Sequence, residues 1–400
     1  HEMFRFLRRE APVHFHPEPN GPGFWTITKY EDLKHISKTP EIFSSEAQGT
    51  LIQDPSASDL PMLQTIMLNM DPPRHRQFRN IVNKAFTPRM VQNLHGKVQA
   101  MVDQIIDRVI ERGECDFVDD LAAPLPMEVI CEMMGVPNED RRQIYDISNR
   151  MVGSDDPELG GGPAELTQGD YAAASAEMFL YASKLAERVR KDPRDDLGTA
   201  LLNAEVDGQR LSELDFNSFF LLLAIAGNET TRTVTTNGML CLIQNPQQRR
   251  TLLSDMTLLP GAIEEMLRYI SPAIHFCRTP NRDVEIRGKQ IKAGDIMVMF
   301  YPSANRDAEA FAREIYGEHT LGSGEGVWSH ALGMAKEVTL EPGETIFPGI
   351  HEAFASFHLM GEHAASLAVL GDDGATIGGR DHERVDFDVV GVGDEGLARI

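Results

Sequence analysis

Over most of the first 300 residues, apolar positions recur every three or four residues, which is the spacing of helices that bury one face. This pattern predicts long helices over 89–112, 126–135, 138–152, 170–190 and 212–245. Residues 24–36 break it: Phe24-Trp25-Thr26-Ile27-Thr28 reads as a strand, and Tyr30-Glu31-Asp32 opens a short helix. The stretch 71–110 begins with Asp71-Pro72-Pro73, and proline is tolerated in a helix's first turn. Residues 154–169 contain Gly160-Gly161-Gly162-Pro163 and read as a mobile loop. Between 283 and 301 the period switches to strands, in Val284-Glu285-Ile286 and Ile296-Met297-Val298-Met299-Phe300, with Gly288 and Gly294 as turns. No internal repeat occurs. The expectation is a mainly α fold with a small β portion.

Composition narrows the function. The net charge of −23 opposes binding to nucleic acid or to an anionic membrane by charge alone. Cys115, Cys131, Cys241 and Cys277 are widely spaced, with no C-x-x-C, so they suggest neither a disulfide framework nor a zinc site; a reducing cytoplasm is expected. No signal peptide opens the chain, and His1 is not an initiator methionine, so the chain reads as a fragment or a processed product. The longest apolar run, Phe219 to Gly227, is too short for a membrane anchor.

Three groups of residues carry candidate chemistry. In the helix predicted over 212–245, Gly227 removes a side chain so that a flat ligand can approach the backbone, with Ala226 beside it. Thr230 offers a hydroxyl there and Glu229 a titratable carboxylate, a set suited to proton delivery. A buried helix whose Glu229 and Thr230 satisfy each other is the plainer reading of so short a motif. Glu265 and Arg268 stand three apart and share a helix face, as would a solvated surface pair. His75 and Arg79, one turn apart, could grip two carboxylates together with Arg278 through charge-assisted bonds; any one of them alone reads as a surface residue.

Taken jointly, these groups resemble the cytochrome P450 family over about residues 20–311. Met70-Asp71-Pro72-Pro73-Arg74-His75-Arg76-Gln77-Phe78-Arg79 looks like the family's propionate-binding helix, followed by Ala85-Phe86-Thr87-Pro88-Arg89. Ala226-Gly227-Asn228-Glu229-Thr230-Thr231 matches the oxygen-activating helix, and Glu265-x-x-Arg268 the pair that locks the proximal side. Arg278 matches the second propionate arginine, and Ser303-Ala304-Asn305-Arg306-Asp307 the exit of the strand beyond it. Within the family, Gly23-Phe24-Trp25-Thr26-Ile27-Thr28-Lys29, Phe43-Ser44-Ser45 and Met67-Leu68-Asn69-Met70-Asp71 look most like bacterial sterol and methyl-branched lipid hydroxylases. The resemblance implies heme b as cofactor, held by His75, Arg79, Arg278 and Ala226. It also implies Gly227, Glu229 and Thr230 as catalytic residues, a long apolar substrate, and electrons from ferredoxin and ferredoxin reductase.

The resemblance stops near residue 312. The family expects a Phe-Gly-x-Gly loop, a histidine, the axial cysteine and a long helix, but no cysteine follows Cys277. Residues 313–400 hold 15 of the 33 glycines and carry −11 of the net charge; the other 312 residues carry −12. The chain therefore divides into an incomplete P450-like domain, 1–312, and an unassigned glycine- and acid-rich tail, 313–400, with the cysteine loop missing or replaced and no metal ligand assigned. A frame error or chimeric join near 312 accounts best for the abrupt change. A recombined gene, or ligation by His330, His351, His358 or His363, are the other readings. An inactive haem- or lipid-binding protein is the alternative function, and an acidic interaction module is a third reading, confined to the tail. Limited proteolysis of the haem-loaded chain should remove the tail first; a sharp cooperative melt with the tail protected would reject this division.

Overall fold

The computed structural model describes residues 1–315, except 20, 53, 54, 56–58, 87, 113, 153–163 and 207, together with the strand Thr376–Ile377, which pairs with Glu114–Cys115. The tail histidines and the rest of 316–400 lie outside the described residues, as does most of the loop expected over 154–169.

The helical body comprises α1 (Glu2–Glu10), α2 (Tyr30–Lys38), α3 (Arg74–Ala85), α4 (Pro88–Ile110), α5 (Pro124–Met134) and α6 (Arg141–Val152). It continues with α7 (Ala164–Lys191), α8 (Leu197–Asn203), α9 (Glu213–Gln244), α10 (Pro246–Ser254) and α11 (Leu259–Ile270), and ends with α12 (Tyr301–Ala304) and α13 (Ala308–Ile315). The strands are β1 (Val13–His16), β2 (Phe24–Ile27), β3 (Phe43–Ser44), β4 (His275–Pro280), β5 (Val284–Ile286), β6 (Lys289–Ile291) and β7 (Ile296–Phe300).

α9 is the axle of the helical body. Its start is fixed by a reciprocal cap: Ser212 Oγ accepts from Asp215 N at 3.1 Å, and the Asp215 carboxylate accepts from Ser212 N at 3.0 Å. Buried residues such as Phe216, Phe220, Ala224, Val234 and Met239 occupy most of its circumference, and α5, α6, α7 and α11 pack around it. α5 is apolar almost throughout and ends at Gly135, whose φ of +74° makes the left-handed C-cap that glycine adopts without strain.

The sheet gathers distant parts of the chain in the order β1-β2-β7-β4-β3. β2 and β7 run parallel, with Phe24 opposite Ile296 and Ile27 opposite Met299. The other pairings are antiparallel. Val13, Ile27, Met297 and Met299 bury one face against Leu33, Ile36 and Tyr301; Cys277, Ile296 and Val298 bury the other. A second tie joins the beginning and end of the described chain. Lys29 pairs with Glu309 and lies 3.5 Å from Asp307, whose carboxylate also accepts from Tyr30 N at 3.1 Å.

Two expectations are corrected. Residues 164–169 are helical, as the first turns of α7. The helix expected from Asp71 begins at Arg74, and Asp71 instead binds Ser44 Oγ and accepts from Ser45 N at 2.8 Å. β4 is a strand that the pattern does not announce. Ser212→Ala removes the side-chain half of the α9 cap and should cost about 1 kcal/mol, read as a lowered urea midpoint with unchanged slope.

Candidate functional site

The burial of α9 has one gap. Leu222, Ile225, Ala226, Glu229, Thr230, Arg232, Thr233, Thr235, Thr236 and Asn237 are only half-buried, while Gly227, Asn228, Thr231 and Val234 are buried. Leu222, Ile225, Ala226, Glu229, Thr230, Thr233 and Asn237 recur three or four apart and share one stripe along the helix. Ala226 and Thr230 lie on it. Gly227 does not: a Cβ there would come within 3.0 Å of Ile130 Cδ1 on α5. Its missing side chain lets α9 approach Ile130 on α5. Ala226, one position earlier, is half-buried.

Glu229 and Thr230 do not satisfy each other. Thr230 Oγ1 donates to Ala226 O at 2.5 Å, one turn back. Glu229 pairs with Arg232 at 2.5 Å, both side chains being largely shielded from solvent. In the sequence Arg232 reads only as the end of the family-like stretch from Ala226, although its i+3 spacing from Glu229 is a visible signal of the pair. Also missed was a buried link on the opposite side of α9, where Asn228 Nδ2 donates to Ser148 Oγ on α6 at 3.2 Å.

His75 and Arg79 stand on α3, and Arg278 is on β4. Burial, then the charges of Arg79 and Arg278, hold the His75 imidazole below its ordinary value, with Asp71 opposing them. Electrostatic influence of that kind requires proximity, so the structure brings Arg278 to His75 and Arg79 across about 200 residues of chain. Arg278 Nη1 also donates to Cys277 O at 2.7 Å. Two partly buried arginines with an imidazole N–H in charge range of both are suited to a ligand with carboxylates.

Glu265 and Arg268 form a buried, bidentate pair, not a solvated one. Arg268 Nε donates to Glu265 Oε2 at 2.7 Å and Nη2 to Oε1, with side-chain exposures of 12% and 9%. Arg268 Nη1 donates to Asn305 O, and its guanidinium lies 5.4 Å from the Phe311 ring centre. Asn305 in turn donates to Ser271 Oγ at 3.0 Å, and Ser271 Oγ to Arg268 O at 2.8 Å. That closed circuit holds Ser271 at a φ of +52°.

The donor set fits a haem at its carboxylate edge and along the α9 stripe. Burial pushes the Cys131 thiol up to about 12 and the Cys241 thiol up to about 11, and Cys115 is also raised. Cys277 is buried within the sheet. Among the described residues, no group of three His, Cys, Asp or Glu side chains could hold a metal ion.

The architecture is a mainly helical body packed around the long helix α9, with a small mixed sheet. The cytochrome P450 family model matches residues 19–254 and 248–313, and the chain belongs to that family. Methyl-branched lipid omega-hydroxylase of Mycobacterium tuberculosis is 40% identical over 319 residues, covering 77% of this chain and 73% of that protein. Steroid C26-monooxygenase of the same species is 39% identical over 318 residues, covering 77% and 71%. A Mycobacterium marinum cytochrome P450 solved with pseudoionone superposes with a TM-score of 0.78 at 32% identity, covering 97% of this chain and 92% of that one. The family is one of haem-iron enzymes. Among the described residues, no helix is long and apolar enough to cross a membrane.

Two predictions follow from these geometries. Arg268→Ala leaves the buried Glu265 carboxylate without its partner and should destabilise the fold by roughly 3 kcal/mol or more, whereas Arg142→Ala in the exposed Arg142–Asp146 pair should change it by under about 0.5 kcal/mol; chemical denaturation separates them. His75 has a folded-state value below its unfolded one, so the folded protein resists its protonation. Stability is then fully present above the unfolded value and falls as pH drops below it. His75→Gln should flatten that fall between wild type and variant, the contributions of His16 and His275 being common to both.

Proposed function

We propose that this chain is by descent a haem-dependent monooxygenase of long apolar substrates, sterol-like or methyl-branched lipids, oxidised with O2 and electrons from a ferredoxin and its reductase. The reading rests on the convergence of His75, Arg79 and Arg278, together with the half-buried polar positions in the middle of α9. The named lipid and steroid oxygenases among its relatives support the substrate class.

In this reading His75, Arg79 and Arg278 hold the haem carboxylates, and Ala226 bounds the space above the ring. When bound, the haem supplies oxygen activation and attack on an unreactive C–H bond, chemistry that the protein orients but does not itself perform. Thr230 holds its hydroxyl proton toward Ala226 O and must turn away to offer it elsewhere. Glu229 stands behind it as a relay that must leave Arg232 Nη2 and take a proton from solvent before it can pass one forward. Leu222 and Ile225, on the same stripe, supply the apolar wall that excludes water. Four free cysteines fit a cytoplasmic setting.

We further propose that oxygen chemistry is impaired in this chain, because the family's axial thiolate has no counterpart after Cys277. The same observation favours the second reading, an inactive haem- or lipid-binding protein. The reduced protein with carbon monoxide should give an imidazole-type Soret band or no haem signal. A red-shifted thiolate band would overturn the impairment and leave the monooxygenase reading standing. Arg79→Leu and Arg278→Leu should each weaken haem uptake about 10- to 100-fold, the worth of one charge-assisted bond, measured by titration of the Soret absorbance.

A further inference from the structure

β1 is an edge strand of the sheet, and it carries two histidines with one residue between them. Strand periodicity places His14 and His16 on the same face. Their ring centres are 4.7 Å apart. Two imidazoles bound to one metal at ~2.0–2.1 Å, with a bond angle near ~90–110°, have ring centres about 4.5–5 Å apart. The centre separation, with the ring planes at 80°, thus falls within the range that a two-imidazole chelate requires. His14 is exposed and His16 half-buried, so the side chains reach solvent.

Two further observations converge on this pair. His16 stacks on Phe24 at 5.3 Å, with 24° between the planes, which limits the motion of one ring. The register sets His14 directly opposite Thr26 on β2, so the two share a face. Thr26 is 1% exposed, and its Oγ1 has no hydrogen-bond partner among the described residues. A metal-bound imidazole needs an acceptor for its second ring N–H, and this hydroxyl is the neighbouring group that can become one.

We propose that His14 and His16 form a bidentate site for a divalent transition metal, with copper(II) held tightest, and that Thr26 orients His14 from behind. No third protein ligand joins them among the described residues, so water completes the coordination. Preference for copper(II) over zinc(II) or nickel(II) follows the general order of divalent affinities for nitrogen donors. The site is separate from the His75–Arg79–Arg278 cluster and needs no haem.

Titration of the metal-stripped full chain with copper(II) alone, followed by electron paramagnetic resonance and calorimetry, tests this. Wild type should bind one equivalent more than His14→Gln, His16→Gln or the double variant, and that equivalent should carry an axial spectrum with splitting from two nitrogens. Histidines elsewhere contribute equally to all four proteins and cancel in the difference. Thr26→Val should keep the equivalent but weaken it about tenfold. Unchanged stoichiometry in His14→Gln would overturn the proposal, and that residue lies at the solvent edge, so this test survives even if His16→Gln misfolds. Loss of the equivalent in one single variant but not the other would also overturn it, since a chelate needs both rings.

Discussion

The described structure depends on a knot at Asn305. Arg268 grips Glu265 on its own helix and the Asn305 carbonyl on the segment after β7, while the Asn305 amide returns to Ser271 at the end of the same helix. Three buried polar groups are satisfied in one circuit, and each would be costly if left alone. The circuit fastens the helical body to the sheet. It also sets where β4 begins, four residues after Ser271, and so where Arg278 can point. A guanidinium makes this possible where an ammonium could not, because its planar fork serves a carboxylate and a carbonyl in fixed directions at once.

Against that rigid frame, the cation cluster is a site under tension. Two arginine charges are brought to His75 from α3 and β4, and burial first, then those charges, hold its imidazole below the ordinary value. A dianionic ligand would reverse the sign of that interaction. α9 complements it in the opposite manner. It is packed tightly at Gly227 against Ile130 and left open one residue earlier at Ala226, so the space beside it is shaped by a rigid backbone. The two polar residues next to that space are each held by a neighbour, Thr230 by a carbonyl and Glu229 by Arg232.

Much of this was legible in the chain before folding. α9, α6 and the strands β5 and β7 follow from periodicity, and the paired spacings of His75 with Arg79 and of Glu265 with Arg268 announced shared faces. β4 was not legible. Its residues, His275 to Pro280, include an arginine and end in proline, and their half-buried positions do not alternate; the strand exists because β7 and β3 flank it. The partner of Arg268 could not be read either, since a carbonyl 37 residues away leaves no mark on the sequence. Gly227 shows the limit of motif reasoning. A glycine beside a polar pair signals close approach, but only the packing tells which side approaches.

The parallel pairing of β2 with β7 carries a consequence for how the protein is made. β2 ends at Ile27 and its partner begins at Ile296. At about 5–20 residues per second, the ribosome needs roughly 15 to 50 s to bridge that interval. Throughout it, Phe24, Trp25 and Ile27 have emerged with one side of their strand unpaired, which is the condition that invites pairing with another chain. The helices from α3 to α11 can collapse meanwhile on largely local contacts. The sheet that carries Arg278 is therefore the last part of the site to close, and the nascent chain needs shelter at its N-terminal end until it does.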